Sequence, residues 1–539
     1  MRRSKYGKGK APVTSGRAPR GTRGKKHSSL PRVPANSPTG KVATAPPRPT
    51  KIEPTAPERL AAAIGARLDH GTGASPVTGV TLRAQHVQHG DLFAALPGAR
   101  AHGADFAAEA VRAGAVAVLT DPAGAARESL KDVPLLVHDD PRAVLGEAAS
   151  TVYGNPSRRL KVLGVTGTSG KTTTTYMLEA GLAAAGLTTG LVGGVELRIA
   201  GERIDSALTT PEAPDLQALL AVMLEKGVTH VPMEVSSHAL ALGRVGGTHY
   251  AAGAFTNLSQ DHLDFHPDLE DYFRTKAKLF DGRADVEVVC TDTPWGERLL
   301  KPTTITVSTA HDATWTASDI TVSRSGSQTF YAHGHGRKLA VEILLAGSYN
   351  VANALTAIAV LDAIGVDEKA IVAGLAKVQV PGRMERVDLG QDFTAVVDYS
   401  HKPAAVALAL DAVRARAEGR VIVVLGCGGD RDAAKRPLMG EAAAVRADLT
   451  IVTDDNPRSE NASDIRAQML AGVPADRRDT VVEIADRRAA IRHAVGQARP
   501  GDVVVVAGKG HETGQEVAGV IYPFSDRDEL SAAIREVVK

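Results

Sequence analysis

A chain of 539 residues, 43% hydrophobic and 23% charged, has room for about three domains at ~150 residues each and the composition of a globular protein with real cores. No apolar run reaches the ~18 residues of a membrane span, and no charged-then-apolar leader precedes a small-residue cleavage site, so neither membrane insertion nor secretion is expected. The two cysteines, Cys290 and Cys427, cannot build a disulfide framework or a cysteine-based metal site, which fits a reducing cytosol.

The net charge of +2 conceals an asymmetry. Residues 1–52 hold 14 Lys or Arg and no Asp or Glu, leaving −12 on the other 487. This tail is Pro, Gly, Ser and basic residues with few large apolar side chains, so it is expected to be disordered. A nucleic-acid arm, an anionic-membrane tether and a transit peptide compete there with a plain terminal extension.

Ordered sequence begins near Ile52. Residues 53–157 alternate short apolar strands (77–82, 115–119, 134–137) with helical stretches such as 105–113. Residues 158–381 open on a strand at 161–165, pass through further strand–helix units and end at Val380-Pro-Gly-Arg383. Residues 382–539 set strands at 393–397, 421–425, 449–452 and 503–506, each before a polar loop. The pattern predicts an α/β chain of three domains: a small N-terminal unit, a central parallel sheet and a C-terminal Rossmann-like unit. No 20–50-residue repeat is present.

The central motif is Gly164-Val-Thr-Gly-Thr-Ser-Gly-Lys-Thr-Thr173, directly after an apolar strand and before a helical run. Glycines let backbone N–H groups curl around phosphate oxygens, and a helix N-terminus favours negative charge. Lys171 is placed to reach terminal phosphates and the Thr172 hydroxyl to ligate magnesium. Val165 occupies the position of the first glycine in G-x-x-x-x-G-K-[ST]. A glycine-rich turn with a fortuitous Gly-Lys-Thr is the alternative, outweighed by the strand before and the helix after. Glu234 ends the apolar stretch 228–235, where a magnesium-orienting carboxylate belongs, with Ser236-Ser-His238 at the same edge.

These residues resemble the ATP loop of the Mur ligases, the ATP-dependent amide-forming enzymes of peptidoglycan precursor synthesis. Thr209-Thr-Pro211, Met233-Glu-Val-Ser-Ser-His238, Thr256-Asn-Leu-Ser-Gln-Asp-His-Leu-Asp264, Gly347-Ser-Tyr-Asn-Val-Ala-Asn353, Pro381-Gly-Arg-Met-Glu385 and Asp398-Tyr-Ser-His401 follow in the family's order. The resemblance covers about residues 75–525. It implies acyl phosphorylation of a substrate carboxylate by ATP, then displacement of phosphate by an amine, with magnesium ions neutralising the clustered anions. ATP would lie on Gly167, Thr168, Ser169, Gly170, Lys171, Thr172 and Thr173, with adenine at Asn350 and Asn353 and phosphate and ribose at Arg383 and Asp398.

By the same resemblance Thr172 and Glu234 hold one magnesium ion and His262 helps hold a second. Lys276 aligns with a lysine that reacts with carbon dioxide to form an N-carbamate, an oxygen-bearing ligand whose formation needs a neutral amine. An exposed helix lysine is the plain alternative, and Lys278 the alternative register. Thr209, Thr210, Ser236 and Arg244 would grip the UDP-muramoyl peptide. Leu82 and Ala84 would lie near uridine, although Ala84 stands where the family often has serine.

In the C-terminal region three strand ends carry chemistry: Arg431 after 421–425, Asn456 and Arg458 after 449–452, and Gly508 and Glu512 after 503–506. Two guanidinium groups, an amide and a carboxylate facing one crevice suit a zwitterion with an extra carboxylate. Solvated loop charges and a merely structural Gly426-Cys-Gly-Gly429 turn are the alternative. Gly429-Asp-Arg431, Asp455-Asn-Pro457-Arg458 and Gly508-Lys-Gly-His-Glu512 resemble the family member that adds meso-diaminopimelate to UDP-N-acetylmuramoyl-L-alanyl-D-glutamate. Lysine has no distal carboxylate and would leave a desolvated Arg458 unpaired, so the lysine-adding member is disfavoured. A phosphate-loop protein that binds nucleic acid through the basic tail is the competing class, opposed by the body's −12 charge. The expectation is a cytoplasmic monomer with small-molecule partners: ATP, the UDP-muramoyl dipeptide and meso-diaminopimelate.

Overall fold

The computed structural model describes residues 47–538 except 71–72, 205–207, 264 and 324–325. Most of the basic tail therefore lies outside the described residues. Its end, 47–52, is packed: Arg48 reaches the buried Asp91 carboxylate at 2.5 Å, and the Thr50 and Lys51 backbone N–H groups donate to Glu225 at 2.8 and 2.6 Å.

The described residues form three main sheets. In the first, Gly79–Thr81, Asp91–Ala94, Ala117–Thr120 and Leu135–Val137 run parallel, with Arg67–Asp69 antiparallel at one edge. The strand Asp91–Ala94 has no counterpart among the predicted strands; its first residue is a carboxylate, neutralised by Arg48.

The second sheet has eleven strands. Its parallel centre sets Lys161–Thr166 between His230–Glu234 and Tyr250–Phe255. Strands with both faces covered read as continuous apolar runs, and Val162, Leu163, Val165, Val231 and Met233 are all buried. Alternation of strand and helix does not extend to its ends. Leu197–Ile199 and Glu202–Ile204 add an antiparallel hairpin at one edge, and Trp315–Val322, Gln328–Gly334 and Arg337–Ile343 form an antiparallel meander at the other. Gln328–Gly334 and Arg337–Ile343 bury alternate residues, as one-sided sheets do. The helix Lys171–Ala184 packs closely on the helices Tyr349–Ala363 and Glu368–Leu375. A Cβ on Gly181 would lie 2.5 Å from Leu361, and one on Gly374 2.5 Å from the Ala180 carbonyl.

In the third sheet Thr394–Asp398, Val503–Ala507, Val421–Leu425, Leu449–Val452 and Val481–Glu483 are parallel neighbours in that order, with Glu385–Arg386 antiparallel at the edge. The strands Val421–Leu425 and Val503–Ala507, largely β-branched, are buried along their whole length between two apolar clusters. Their carboxyl ends open toward the central sheet: Lys402 of the third unit is ion-paired to Asp261 of the second. No helix among the described residues is long and apolar enough to cross a membrane.

Candidate active site

The strand Lys161–Thr166 delivers the phosphate loop to the sheet edge, and Gly170 hands the chain to the helix Lys171–Ala184. Two of its glycines are obligatory. Gly167 has φ +146°, and a Cβ there would lie 2.0 Å from Thr256 Oγ1. Gly170 has φ +86°, and its Cβ would lie 2.3 Å from Asn353 Oδ1. Residues 256–259, after the strand Tyr250–Phe255, hold the loop's outer side. Asn257 accepts from Ser169 N (3.0 Å) and its carbonyl from Thr168 N (2.9 Å), while Thr256 Oγ1 donates to the Ser169 carbonyl (2.6 Å). Thr168 Oγ1 donates to the Ser259 carbonyl at 3.2 Å. Thr173 is buried on the first turn of the helix.

Two lysines converge on this loop. Lys171 Nζ donates to the Gly167 and Thr168 carbonyls (2.9 and 3.0 Å), and Lys276 Nζ to the same Gly167 carbonyl (2.8 Å). Burial lowers Lys171 to about 8, against the pull of Glu234. Burial, reinforced by repulsion from Lys171, holds Lys276 well below the usual lysine range despite Asp261. Lys276 is 1% exposed and lies 4.5 Å from the Tyr272 ring centroid, whereas Lys278 is exposed. Lys276 is therefore not the exposed helix lysine of the plain alternative. A buried neutral amine is the form that condenses with carbon dioxide.

Glu234 ends the strand His230–Glu234, buried, with Oε1 accepting from Thr172 Oγ1 and Gly194 N (both 2.9 Å). His262 lies beyond, exposed, with φ +53°, 3.1 Å from Asp261 and 4.8 Å from the His238 ring. Partial desolvation and the neighbouring His238, Lys402 and Lys171 depress it to about 3, against Asp261. Among the described residues no three His, Cys, Asp or Glu side chains form a ready metal cluster. The hard-oxygen pair Thr172–Glu234 fits magnesium, which keeps waters and substrate phosphates in its shell and takes few protein ligands.

Thr210 and Ser236 meet at the same edge, the Thr210 hydroxyl donating to the Glu234 carbonyl (2.9 Å) and lying 3.4 Å from Ser236 Oγ. Ser236 Oγ also caps the helix Ser237–Ala241. Thr209 abuts Gly194, whose Cβ would sit 3.0 Å from Thr209 Oγ1. Arg244 is ion-paired to Glu212 at 2.8 Å, so an anionic substrate meets a guanidinium already half neutralised. Asn350 and Asn353 are buried and bonded to each other (2.9 Å), with the Asn350 amide on the Ala346 carbonyl (2.7 Å). Arg383 lies 4.5 Å from the Tyr399 ring centroid, with a buried Nε that has no partner among the described residues. Asp398 accepts from Met384 N (2.8 Å) and Ser400 N (2.9 Å) at its strand's end. Leu82 is half-buried against the N-terminal core, and Ala84 is buried in the apolar cluster around Phe93, so its methyl is spent on packing.

In the third sheet Arg431 and Arg458 flank Gly428, whose Cβ would lie 3.9 Å from Arg431 Cγ and 3.0 Å from Arg458 Nη1. Arg431 is exposed; Arg458 is held, Nη1 donating to the Gly429 carbonyl (2.7 Å) and Nε 3.2 Å from Glu516. Arg458 is therefore not a guanidinium that lysine would strand; it has a carboxylate partner of its own. The Pro457 carbonyl lies 2.0 Å from where a Gly429 Cβ would stand, and Gly508 has φ +115° with its Cβ 2.7 Å from Asp455 Oδ2. Both glycines permit backbone approach that no side chain could share.

Behind them lies a fully buried lysine. Lys509 Nζ donates to Asn456 Oδ1 (2.8 Å) and Glu512 (3.2 Å) and lies 3.6 Å from Asp455. Asn456 in turn donates to Glu512 at 2.8 Å. Burial alone would raise the Asp455 carboxyl, but Lys509 and Arg487 hold it below the usual range. Burial and Asp455 raise Glu512. Lys509, Asn257 and Lys402 are the positions that residue-by-residue reading passed over. The first two sit inside motifs quoted for other residues, and Lys402 directly follows one. Glu516 carries no sequence signal.

A phosphate loop facing a charged crevice at the strand ends of a second sheet defines a three-unit nucleotide-binding α/β protein. Residues 76–153 match the family model of the Mur ligase family catalytic domain, 165–361 that of the Mur ligase middle domain, and 382–510 that of the Mur ligase glutamate ligase domain. The chain belongs to the Mur ligase family. It is 53% identical over 483 residues to UDP-N-acetylmuramoyl-L-alanyl-D-glutamate--2,6-diaminopimelate ligase of Corynebacterium glutamicum, covering 87% of this chain and 93% of that one. The Streptomyces coelicolor protein of the same name is 51% identical over 501 residues, 91% of this chain and 98% of that one. A solved structure of a ligase of that name superposes with a TM-score of 0.63 at 32% identity, over 86% of this chain and 96% of that one.

Proposed function

We propose that this chain is the ATP-dependent ligase that joins meso-diaminopimelate to UDP-N-acetylmuramoyl-L-alanyl-D-glutamate through an acyl phosphate. The observation that carries the specificity is the pairing of Arg458 and Arg431 around Gly428 with Asn456 and Glu512 in one crevice. Guanidinium groups match a distal carboxylate bidentately, and the Glu512 carboxylate complements an ammonium. An amino acid without the second carboxylate forgoes that added bond, although Arg458 keeps Glu516 as its partner. The names of the relatives support the same substrate pair.

In the central unit, loop N–H groups and Lys171 bind the polyphosphate and stabilise charge on the transferring phosphoryl group. Thr172 and Glu234 would hold magnesium, with His262 toward a second ion. Bound there, the metal neutralises phosphate charge. Lys276 is proposed to carry an N-carbamate that turns a buried amine into an anionic oxygen ligand. Asn350 and Asn353 are assigned to adenine, and Arg383 and Asp398 to phosphate and ribose. Thr209, Thr210, Ser236 and Arg244 are assigned to the muramoyl peptide, and the backbone near Leu82 and Ala84 to uridine. Arg383, stacked on Tyr399 with an unpartnered Nε, keeps a donor for an incoming anion.

The three sheets support a division into units at 53–157, 158–381 and 382–539, working as a cytoplasmic monomer. The test is product mass and ADP release. The reading requires the amide of diaminopimelate as product, with one ADP released per amide over many turnovers when all three substrates are present. ADP release with no amide formed in the presence of diaminopimelate would refute it.

A further inference from the structure

The hairpin Gly514–Val517 and Val520–Pro523 is a two-stranded sheet of its own, seated on the segment 455–458. Gln515 Nε2 donates to the Asp455 carbonyl (2.7 Å), and Glu516 N to Asn456 Oδ1 (3.0 Å). Arg458 N donates to the Glu516 carbonyl (3.0 Å), and Ala518 N to the Arg458 carbonyl (2.7 Å). These bonds fix Arg458 at φ +53°, a left-handed conformation that a non-glycine residue keeps only where its surroundings over-determine it. The side chain is fixed as well: Nη1 on the Gly429 carbonyl and Nε beside Glu516 Oε2.

We infer that Glu516 is a positioning residue for substrate recognition, fixing the Arg458 guanidinium from its Nε side in the orientation that meets the distal carboxylate of the amino-acid substrate. This rests on the diaminopimelate reading of the crevice. An arginine side chain has many rotamers, and a carboxylate that selects one before substrate arrives removes that ordering from the binding step. Glu516 also repels an incoming carboxylate, but at 22% exposure it is screened by solvent, and that repulsion acts whether or not Arg458 is held. Orientation therefore outweighs repulsion.

Steady-state kinetics of Glu516→Ala and Glu516→Gln test this. The alanine variant should raise KM for diaminopimelate by about tenfold, the order of one pre-ordered side chain. It should keep kcat within about twofold and leave KM for ATP and the UDP-dipeptide unchanged, the split expected when ground state and transition state lose the same binding. Glutamine, which keeps an oxygen acceptor for Nε, should recover most of the loss. In an Arg458→Ala background Glu516→Ala should add nothing, because the group it orients is gone. An unchanged or lowered KM for diaminopimelate in Glu516→Ala, or equal damage to all three substrates, would overturn the assignment. A wild-type enzyme that does not use diaminopimelate would instead refute the functional reading beneath it.

Discussion

The phosphate loop and the amino-acid crevice both gather buried charge at the carboxyl edge of a parallel sheet, but they handle it in opposite ways. At the loop, Lys171 and Lys276 rest on neutral backbone carbonyls, and burial weakens their charge. On the proposed reading Lys171 meets an anion and Lys276, as a carbamate, becomes one. In the crevice, Arg458 is matched by Glu516, and Lys509 by Asn456 and Glu512, before any ligand arrives. The first region is built to receive charge and the second to measure it. Removing a group from the loop should therefore cost turnover, and removing one from the crevice should cost discrimination.

Lys171→Ala should break the loop side most severely. With its ammonium gone from the phosphate loop, kcat should fall by at least ~100-fold, as when one preorganised donor is removed from developing charge. The fold should remain intact by circular dichroism. A variant that keeps more than about a tenth of the wild-type rate would show that the lysine is not part of that stabilisation.

Lys276→Ala should lose most activity while still binding ATP, and formate or acetate should restore part of it by replacing the carbamate oxygens. Intact-mass spectrometry of active wild-type enzyme, or a crystal structure grown in carbon dioxide, checks the modification directly. An unmodified Lys276 in fully active enzyme contradicts it.

The smallest effect sharpens the comparison through pH. Lys171 titrates at about 8 in the free protein because burial disfavours its charged form. Bound polyphosphate favours the charged form, so the pKa rises on binding. ATP binding at about pH 8.5 should accordingly take up a fraction of a proton, and at about pH 6.5, where Lys171 is already charged, should take up none through this group. Calorimetry in buffers of different ionisation enthalpy reads the difference. Equal proton uptake by wild type and Lys171→Gln would contradict the depressed lysine.

Much of this architecture was legible because chemistry and periodicity coincide. Val421–Leu425, a continuous apolar run, and Leu449–Val452, broken only by Thr450, are largely β-branched, stand between turns and lie where the pattern put them. The loop at 164–173 declared itself through its glycines, and the two that matter, Gly167 and Gly170, abut Thr256 and Asn353. The meander at 315–343 was not legible, because its one-sided burial follows from what covers the sheet and not from helix–strand alternation. Asp91 opens a buried strand only because Arg48, 43 residues earlier, neutralises it. Glu516 is a polar residue on a short strand, and its meaning lies wholly in Arg458, which tertiary structure brings to it.

The central claim is that the crevice measures a second carboxylate, and kcat/KM for diaminopimelate and for lysine in wild type and in Arg458→Ala tests it most directly. Because Glu516 already partners Arg458, the loss should be that of a hydrogen bond to a charged group, ~1.5–3 kcal/mol or roughly 10- to 150-fold. It should not be the larger cost of a stranded guanidinium. The account predicts that wild type strongly prefers diaminopimelate, and that Arg458→Ala lowers kcat/KM for diaminopimelate by that factor. The already poor use of lysine should barely change, so the ratio collapses. Comparable use of both amino acids by wild type, or a ratio untouched by the mutation, would contradict it.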